Sequence, residues 1–221
     1  MDSVPAVDGR DAIPRLRGVS HAYAVVFAAV AAGVLVAGAD SGRARLAALV
    51  YGLGLCGLFA VSATYHRHRR SVRIKAALRR ADHAMIFVFI AASYTPVALL
   101  VLDGTVAWIV LVSAWAGAIA GVVFSLGWID APRSWTAVAY IGLGWVVVPA
   151  GPQLVDALGW TATMLFLAGG LLYSAGAVVY ARQRPDPWPA VFGFHEVFHA
   201  LVIAAAAAHF AAMAGWVFDG R

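Results

Sequence analysis

Apolar runs of about twenty residues, the length a helix needs to cross bilayer hydrocarbon, recur along the chain between short polar breaks. They fall at 20–39, 46–66, 82–102, 106–127, 134–151, 160–181 and 191–217. The breaks are Asp40-Ser41-Gly42-Arg43, the basic run from Arg67 to Arg80, Asp103-Gly104, Asp130-Ala131-Pro132-Arg133, Gly151-Pro152 to Asp156, and Arg182 to Pro189. This pattern predicts an all-α integral membrane protein, a bundle of seven transmembrane helices. The fifth run is the shortest and ends at Pro149 and Pro152. The first ends in Ala37-Gly38-Ala39, which resembles a signal-peptidase site, but it exceeds the usual length of a signal-peptide core and is expected to remain as a span. Residues 1–18, polar and carrying Pro5, Gly9, Pro14 and Gly18, read as a mobile tail. Residues 19–221 then form one membrane domain.

Composition agrees with this reading. Of 221 residues, 62% are apolar and only 12% charged, and the mean hydropathy is +0.82, too apolar for the surface of a soluble domain. Cys56 is the sole cysteine, which excludes a disulfide framework and a zinc site built on paired cysteines. The net charge of +5 does not point to nucleic acid, because the basic residues cluster beside apolar runs, as at an anionic membrane surface.

Their distribution also sets an orientation. On one side stand Arg10, Arg15, Arg17, Arg67, Arg69, Arg70, Arg73, Lys75, Arg79, Arg80, Arg133, Arg182 and Arg184; on the other, Arg43, Arg45 and Arg221. Because Lys and Arg accumulate on the cytoplasmic side, the N-terminus is expected in the cytoplasm and the C-terminus outside.

Ionisable groups within spans are costly and invite a functional explanation. Ser62 and His66 close the second run, Asp82 and His83 open the third, and His195, Glu196 and His199 open the seventh. The alternation of spans brings all three ends to similar depth. His195 and His199, four apart, share a helix face about 6 Å apart along the axis, a spacing that lets both imidazoles bind one metal ion. The alternative is a pair of interfacial histidines bonded to water or headgroups. His66 supplies a third nitrogen, and three histidines with an open fourth position describe a catalytic zinc site.

Ser62 lies one turn before His66 on the same face, where its hydroxyl either assists the site or back-bonds to its own helix. Asp82 needs a nearby cation or donor, supplied by the metal site or by Arg79 or Arg80. His83 is expected to be structural, His68 and His21 solvated, and His209 bonded to a neighbouring helix. The string His195-Glu196-Val197-Phe198-His199 also fits the zinc-protease pattern with glutamate as general base. The nearest Asp-Gly beside a late span, Asp219-Gly220, falls on the opposite side of the membrane and counts against that reading. Pro96 in Tyr94-Thr95-Pro96 is expected to kink the third span. Trp108, Trp128, Trp135, Trp160, Trp188 and Trp216 fall near interfaces, and Gly169-Gly170 and Gly142-x-Gly144 mark close helix packing.

Ser62-Ala-Thr-Tyr65-His66, Asp82-His83 with Ser93-Tyr94-Thr95-Pro96, Tyr140-Ile-Gly-Leu-Gly-Trp145, Gly169-Gly170 with Tyr173 and Gly176, and His195-Glu-Val-Phe-His199 occur in that order. As an ordered set they resemble the hemolysin III family, a bacterial branch of the progestin and adipoQ receptor family. The resemblance implies a seven-helix bundle in the bacterial cell membrane with zinc held by His66, His195 and His199, and with Ser62 and Asp82 beside the metal. Membrane ceramide hydrolases in the wider superfamily point to hydrolysis of a lipid amide. The expected function is therefore a zinc-dependent membrane hydrolase that takes a lipid amide or ester from the cytoplasmic leaflet, with Asp82 and Ser62 as the working side chains. The alternatives are a non-enzymatic membrane sensor or lipid-homeostasis protein with structural zinc, and a cytolysin of the hemolysin type.

Overall fold

The computed structural model describes residues 14–68 and 71–219. The expected mobile tail up to residue 13, with Arg10, lies outside the described residues, as do Arg69, Arg70, Gly220 and Arg221. The described residues are helical, with no sheet among them: α1 (Val19–Gly38), α2 (Gly42–Arg67), α3 (Val72–Leu100), α4 (Gly104–Gly127), α5 (Arg133–Gly144), α6 (Gly151–Arg182) and α7 (Phe194–Ala212), which continues as a wider π turn over Met213–Val217. At 1.5 Å per residue, the twenty residues of α1 span about 30 Å, the thickness of bilayer hydrocarbon.

Each helix is apolar on both its inner and outer faces, which is what a lipid solvent requires. On α1, Ala24, Ala28 and Leu35 are buried, while Val26, Phe27, Val30 and Val34 stand exposed. On α4, Ala114 and Ala118 face inward and Trp108, Val112, Ile119 and Val123 outward. Apolar stripes of this extent do not face water in a soluble protein. Between helices the contacts are made by small residues such as Ala47, Ala48, Ala91 and Ala92, all buried, which let backbones approach where no hydrophobic effect drives association. Trp108, Trp128, Trp135, Trp160 and Trp188 are exposed on the outer surface, as the aromatic-belt reading expects; Trp216 is half-buried.

Packing follows chain order. α1 lies on α2, α2 on α3, α3 on α4, α5 on α6 and α6 on α7, while α7 returns to α1 and α3 touches α5. The ends of α2, α3 and α7 that carry the polar residues are thereby gathered at one end of the bundle.

Six stretches of the described residues are long and apolar enough to cross a bilayer, and one of them, Arg133–Arg182, holds both the fifth and the sixth expected spans. The expected break at Gly151 to Asp156 is instead helical: α5 passes through a 3-10 turn at Val148–Ala150 directly into α6. The discontinuity lies at Gly159, with φ +75° and ψ 174°, a conformation that side-chain-bearing residues rarely adopt. Prolines at the first positions of a helix cost no hydrogen bond, which is why Pro152 starts a helical segment and does not end one. The third helix begins ten residues before the expected span, at Val72, where Ser71 caps it by accepting from Ile74 N at 3.4 Å. Arg73, Lys75, Arg79 and Arg80 therefore ride on helix, not on loop. α3 also runs through Pro96 to Leu100, with Thr95 Oγ1 donating to Ala91 O and accepting from Trp115 Nε1.

Candidate metal centre

The last turn of α2 and the first two turns of α7 meet at the polar end of the bundle. His66 Nε2 and His195 Nε2 stand 3.0 Å apart. The ring of His199 lies 5.0 Å from that of His66 and 4.5 Å from that of His195, centroid to centroid. One nitrogen from each of the three falls within 4.8 Å of the others. Across the cluster, Asp82 Oδ2 on α3 is 3.8 Å from His66 Nε2, beyond direct hydrogen-bond reach and at a separation that one water bridges. Ser62 is buried and lines the same cavity as Asp82. The five residues singled out in the sequence thus converge from three helices.

The donor set fits zinc. Two nitrogens on a tetrahedral zinc stand about 3.3 Å apart, close to the observed His66–His195 separation. His199 is 1% exposed, and its Nδ1 is buried without a hydrogen-bond partner. Three imidazoles side by side, one buried and two half-buried, with no carboxylate bonded directly to any of them, are costly to assemble unless a cation draws their lone pairs together.

The neighbouring charges are committed elsewhere, which settles two open alternatives. Glu196 accepts from Arg17 Nε at 2.6 Å and from Gly193 N at 2.8 Å. It therefore closes the N-terminus of α7 and anchors the segment before α1, so it is not the general base that the zinc-protease pattern requires. Arg79 donates to Asp130 Oδ1 at 2.8 Å and to Ile129 O at 3.2 Å, and Arg80 bonds Ala76 O. Neither is the partner of Asp82.

Residues 14–18, assigned from sequence to the tail, lie against this end of the bundle. Arg15 N and Leu16 N donate to Ala190 O and Val191 O, each at 3.1 Å. Gly18 then turns into α1 with φ +75°, its Cα so close to α2 that a Cβ would stand 2.6 Å from His66 Cβ. This turn places His21 inside the cluster. Expected to be solvated, His21 is 2% exposed and stacks on His199, with ring centroids 3.7 Å apart and planes 10° apart. The depth argument that grouped His66, Asp82 and His195 would have found it, because His21 opens the first span on the same side.

The other histidines have ordinary roles. His68, expected in solvent, is half-buried, and its Nε2 accepts from Ser71 N at 3.3 Å. His83 sits edge-on to Tyr180, and its carbonyl accepts from the Tyr140 hydroxyl. His209 Nε2 bonds Phe166 O on α6 at 3.0 Å, the neighbouring-helix bond expected of it.

Inward from the cluster runs a mainly apolar cavity. His21, Ser62, Asp82 and His199 line one end, Leu58, Ile86, Phe89 and Val202 the middle, and Tyr173, Ser174 and His209 the other end. An apolar slot that runs inward from such a polar cluster is the arrangement that suits an amphiphile.

Comparison with known proteins agrees with this architecture. Residues 12–210 match the family described as Haemolysin-III related. Hemolysin-3 of Bacillus cereus is 28% identical over 197 residues, covering 87% of this chain and 86% of that protein. The monocyte to macrophage differentiation factor of Homo sapiens is 29% identical over 202 residues, covering 88% and 80%. The heptahelical transmembrane protein ADIPOR2 of Oryza sativa is 32% identical over 195 residues, covering 80% and 84%. A family match across nearly the whole helical region, on a multi-pass bundle with its histidines gathered at one end, means that the chain belongs to the haemolysin-III-related family.

Proposed function

We propose that this protein is a zinc-dependent hydrolase of the bacterial plasma membrane, crossing it seven times and cleaving a lipid amide or ester drawn from the cytoplasmic leaflet. The observation that carries the reading is the convergence of His66, His195 and His199, with nitrogens within 4.8 Å of one another, beside a carboxylate and a hydroxyl that line an apolar cavity. Seven crossings follow if the chain passes the bilayer on each side of the Gly159 break, and the description of the rice relative as heptahelical supports that count. The asymmetry of Lys and Arg supports a cytoplasmic N-terminus and an external C-terminus.

His66, His195 and His199 would hold zinc as neutral imidazoles, and the ion would supply Lewis acidity for activating water and a carbonyl. The chain's own residues do the rest. Asp82 Oδ2, 3.8 Å from His66 Nε2, accepts the proton of the attacking water and returns it to the departing amine or alcohol. Ser62 orients that carboxylate and keeps it from turning into the apolar slot. The cavity walls hold the acyl chain and exclude bulk water. Arg73, Lys75 and Arg80 on the first turns of α3 attract anionic headgroups.

The test is metal analysis of the purified protein with a broad mass-spectrometric screen for lipid hydrolysis. About one zinc per chain and release of a fatty acid that ceases in Asp82→Asn are expected. Stoichiometric zinc with no lipid cleaved in any class would defeat the enzymatic reading. A second reading, structural zinc in a sensor or lipid-homeostasis protein, draws on the placement of the three imidazoles on two helices, which a metal would clamp. It predicts that Asp82→Asn leaves physiology intact, whereas His66→Ala lowers both metal content and thermal stability. The cytolytic reading draws on the name of the Bacillus cereus relative, but the exposed apolar stripes on α1 and α4 favour residence in lipid.

A further inference from the structure

A histidine that ligates a metal ordinarily donates its second ring N–H to a carboxylate, a carbonyl or a water, which fixes the orientation of the ring. His199 has no such partner: no hydrogen bond to either of its ring nitrogens is found among the described residues, and Nδ1 is fully buried. Its orientation is set by rings. His66 and His195 meet it at 60° and 61°, and Phe198 at 55°, so these three touch its rim at a tilt. Only His21 covers its face, nearly parallel at 3.7 Å. Phe59 in turn holds His21 from the side, edge to face at 5.0 Å.

We propose that His21 is a positioning residue of the centre, the flat surface that locks the His199 imidazole in its ligating orientation where other metal sites use a hydrogen bond. The inference rests on the metal reading and deepens it by adding a residue from α1 to a centre otherwise built from α2, α3 and α7. Three features support this role. The stack is closer and flatter than any other aromatic contact of His199. Both nitrogens of His21 are buried and neither makes a hydrogen bond of normal geometry, so the working part of the side chain is its face. The Gly18 turn against His66 and the Arg17–Glu196 pair hold the start of α1 at the depth where this stack can form.

The experiment measures zinc affinity by chelator competition, and the visible absorption of the cobalt(II)-substituted protein, for wild type, His21→Ala and His21→Phe. Loss of an orienting neighbour costs metal affinity about 10- to 100-fold, and that is the fall expected for His21→Ala, together with a changed cobalt spectrum. His21→Phe keeps a flat ring and should stay within about threefold of wild type, with the wild-type spectrum, on the same scale. A merely structural role for His21 would lower the melting temperature of the metal-free protein without moving affinity or spectrum, and that result overturns the inference. So does a phenylalanine variant as impaired as the alanine variant, because the nitrogens and not the face would then matter. A wild type that binds no zinc sinks the metal reading and this inference together; a zinc-binding wild type with an unaffected His21→Ala sinks the inference alone.

Discussion

Helix α7 carries histidines at both ends, and they are treated in opposite ways. His209, ten residues beyond His199 and so about 15 Å along the axis, spends its Nε2 on the Phe166 carbonyl and seats its ring against Gly169 of α6, where an added Cβ would stand 2.2 Å from it. His195 and His199 receive no carbonyl or carboxylate; they face His66 and each other. Both environments are apolar; His199 is buried, and His195 and His209 are half-buried. The difference is the partner: His209 bonds a backbone carbonyl and is part of the packing, whereas His195 bonds only another imidazole and His199 Nδ1 bonds nothing, an arrangement suited to something that takes lone pairs. Residue type and burial alone do not separate the two cases. The partner does.

Several substitutions bear on this contrast. His66→Ala and His199→Ala should each reduce bound zinc from about one equivalent to under a tenth, since two imidazoles do not complete a zinc site; metal analysis after gel filtration reads this directly, and retained zinc in either variant would erase the contrast. Asp82→Asn should keep zinc while hydrolysis falls about 100- to 10,000-fold, the usual worth of a positioned acid–base group, measured as fatty-acid release. His209→Phe should bind zinc normally and lose about 1.5 kcal/mol of stability, because the bond between helices to the Phe166 carbonyl is lost; denaturant titration in detergent checks it. Glu196→Gln should be mildest. It weakens the Arg17 pair but keeps an acceptor for Gly193 N, at a cost of about 1 kcal/mol, with zinc and hydrolysis unchanged. Loss of hydrolysis in that variant would restore the protease-like reading.

Much of the fold was legible beforehand because lipid imposes a strong rule: every spanning backbone must be helical and apolar. The start of α1, both ends of α2 and the end of α4 fall within four residues of expectation. The rule is weak at helix ends, where water again satisfies backbone groups. Polar sequence no longer excludes helix there, and α3 gained its basic first turns. It was weak again around Pro149 and Pro152, where local breakers are compatible with a helix start and the real discontinuity waits at Gly159. In the site, the spacing of His195 and His199 on one face and the shared depth of Ser62, His66 and Asp82 were readable from periodicity and topology. The roles of Glu196 and Arg79 were not. Each depended on a partner far away in sequence, Arg17 for one and Asp130 for the other.

The order of residues alone was enough for a membrane bundle, for the depth at which its ionisable groups lie, and for a choice of imidazoles able to share a cation, because hydrophobic length and helical period are local properties. Tertiary structure alone decided which charges were already paired, which histidine was merely packed, and that His21 belongs with His199. Those outcomes depend on contacts between residues from 43 to 179 positions apart, and no local period encodes them.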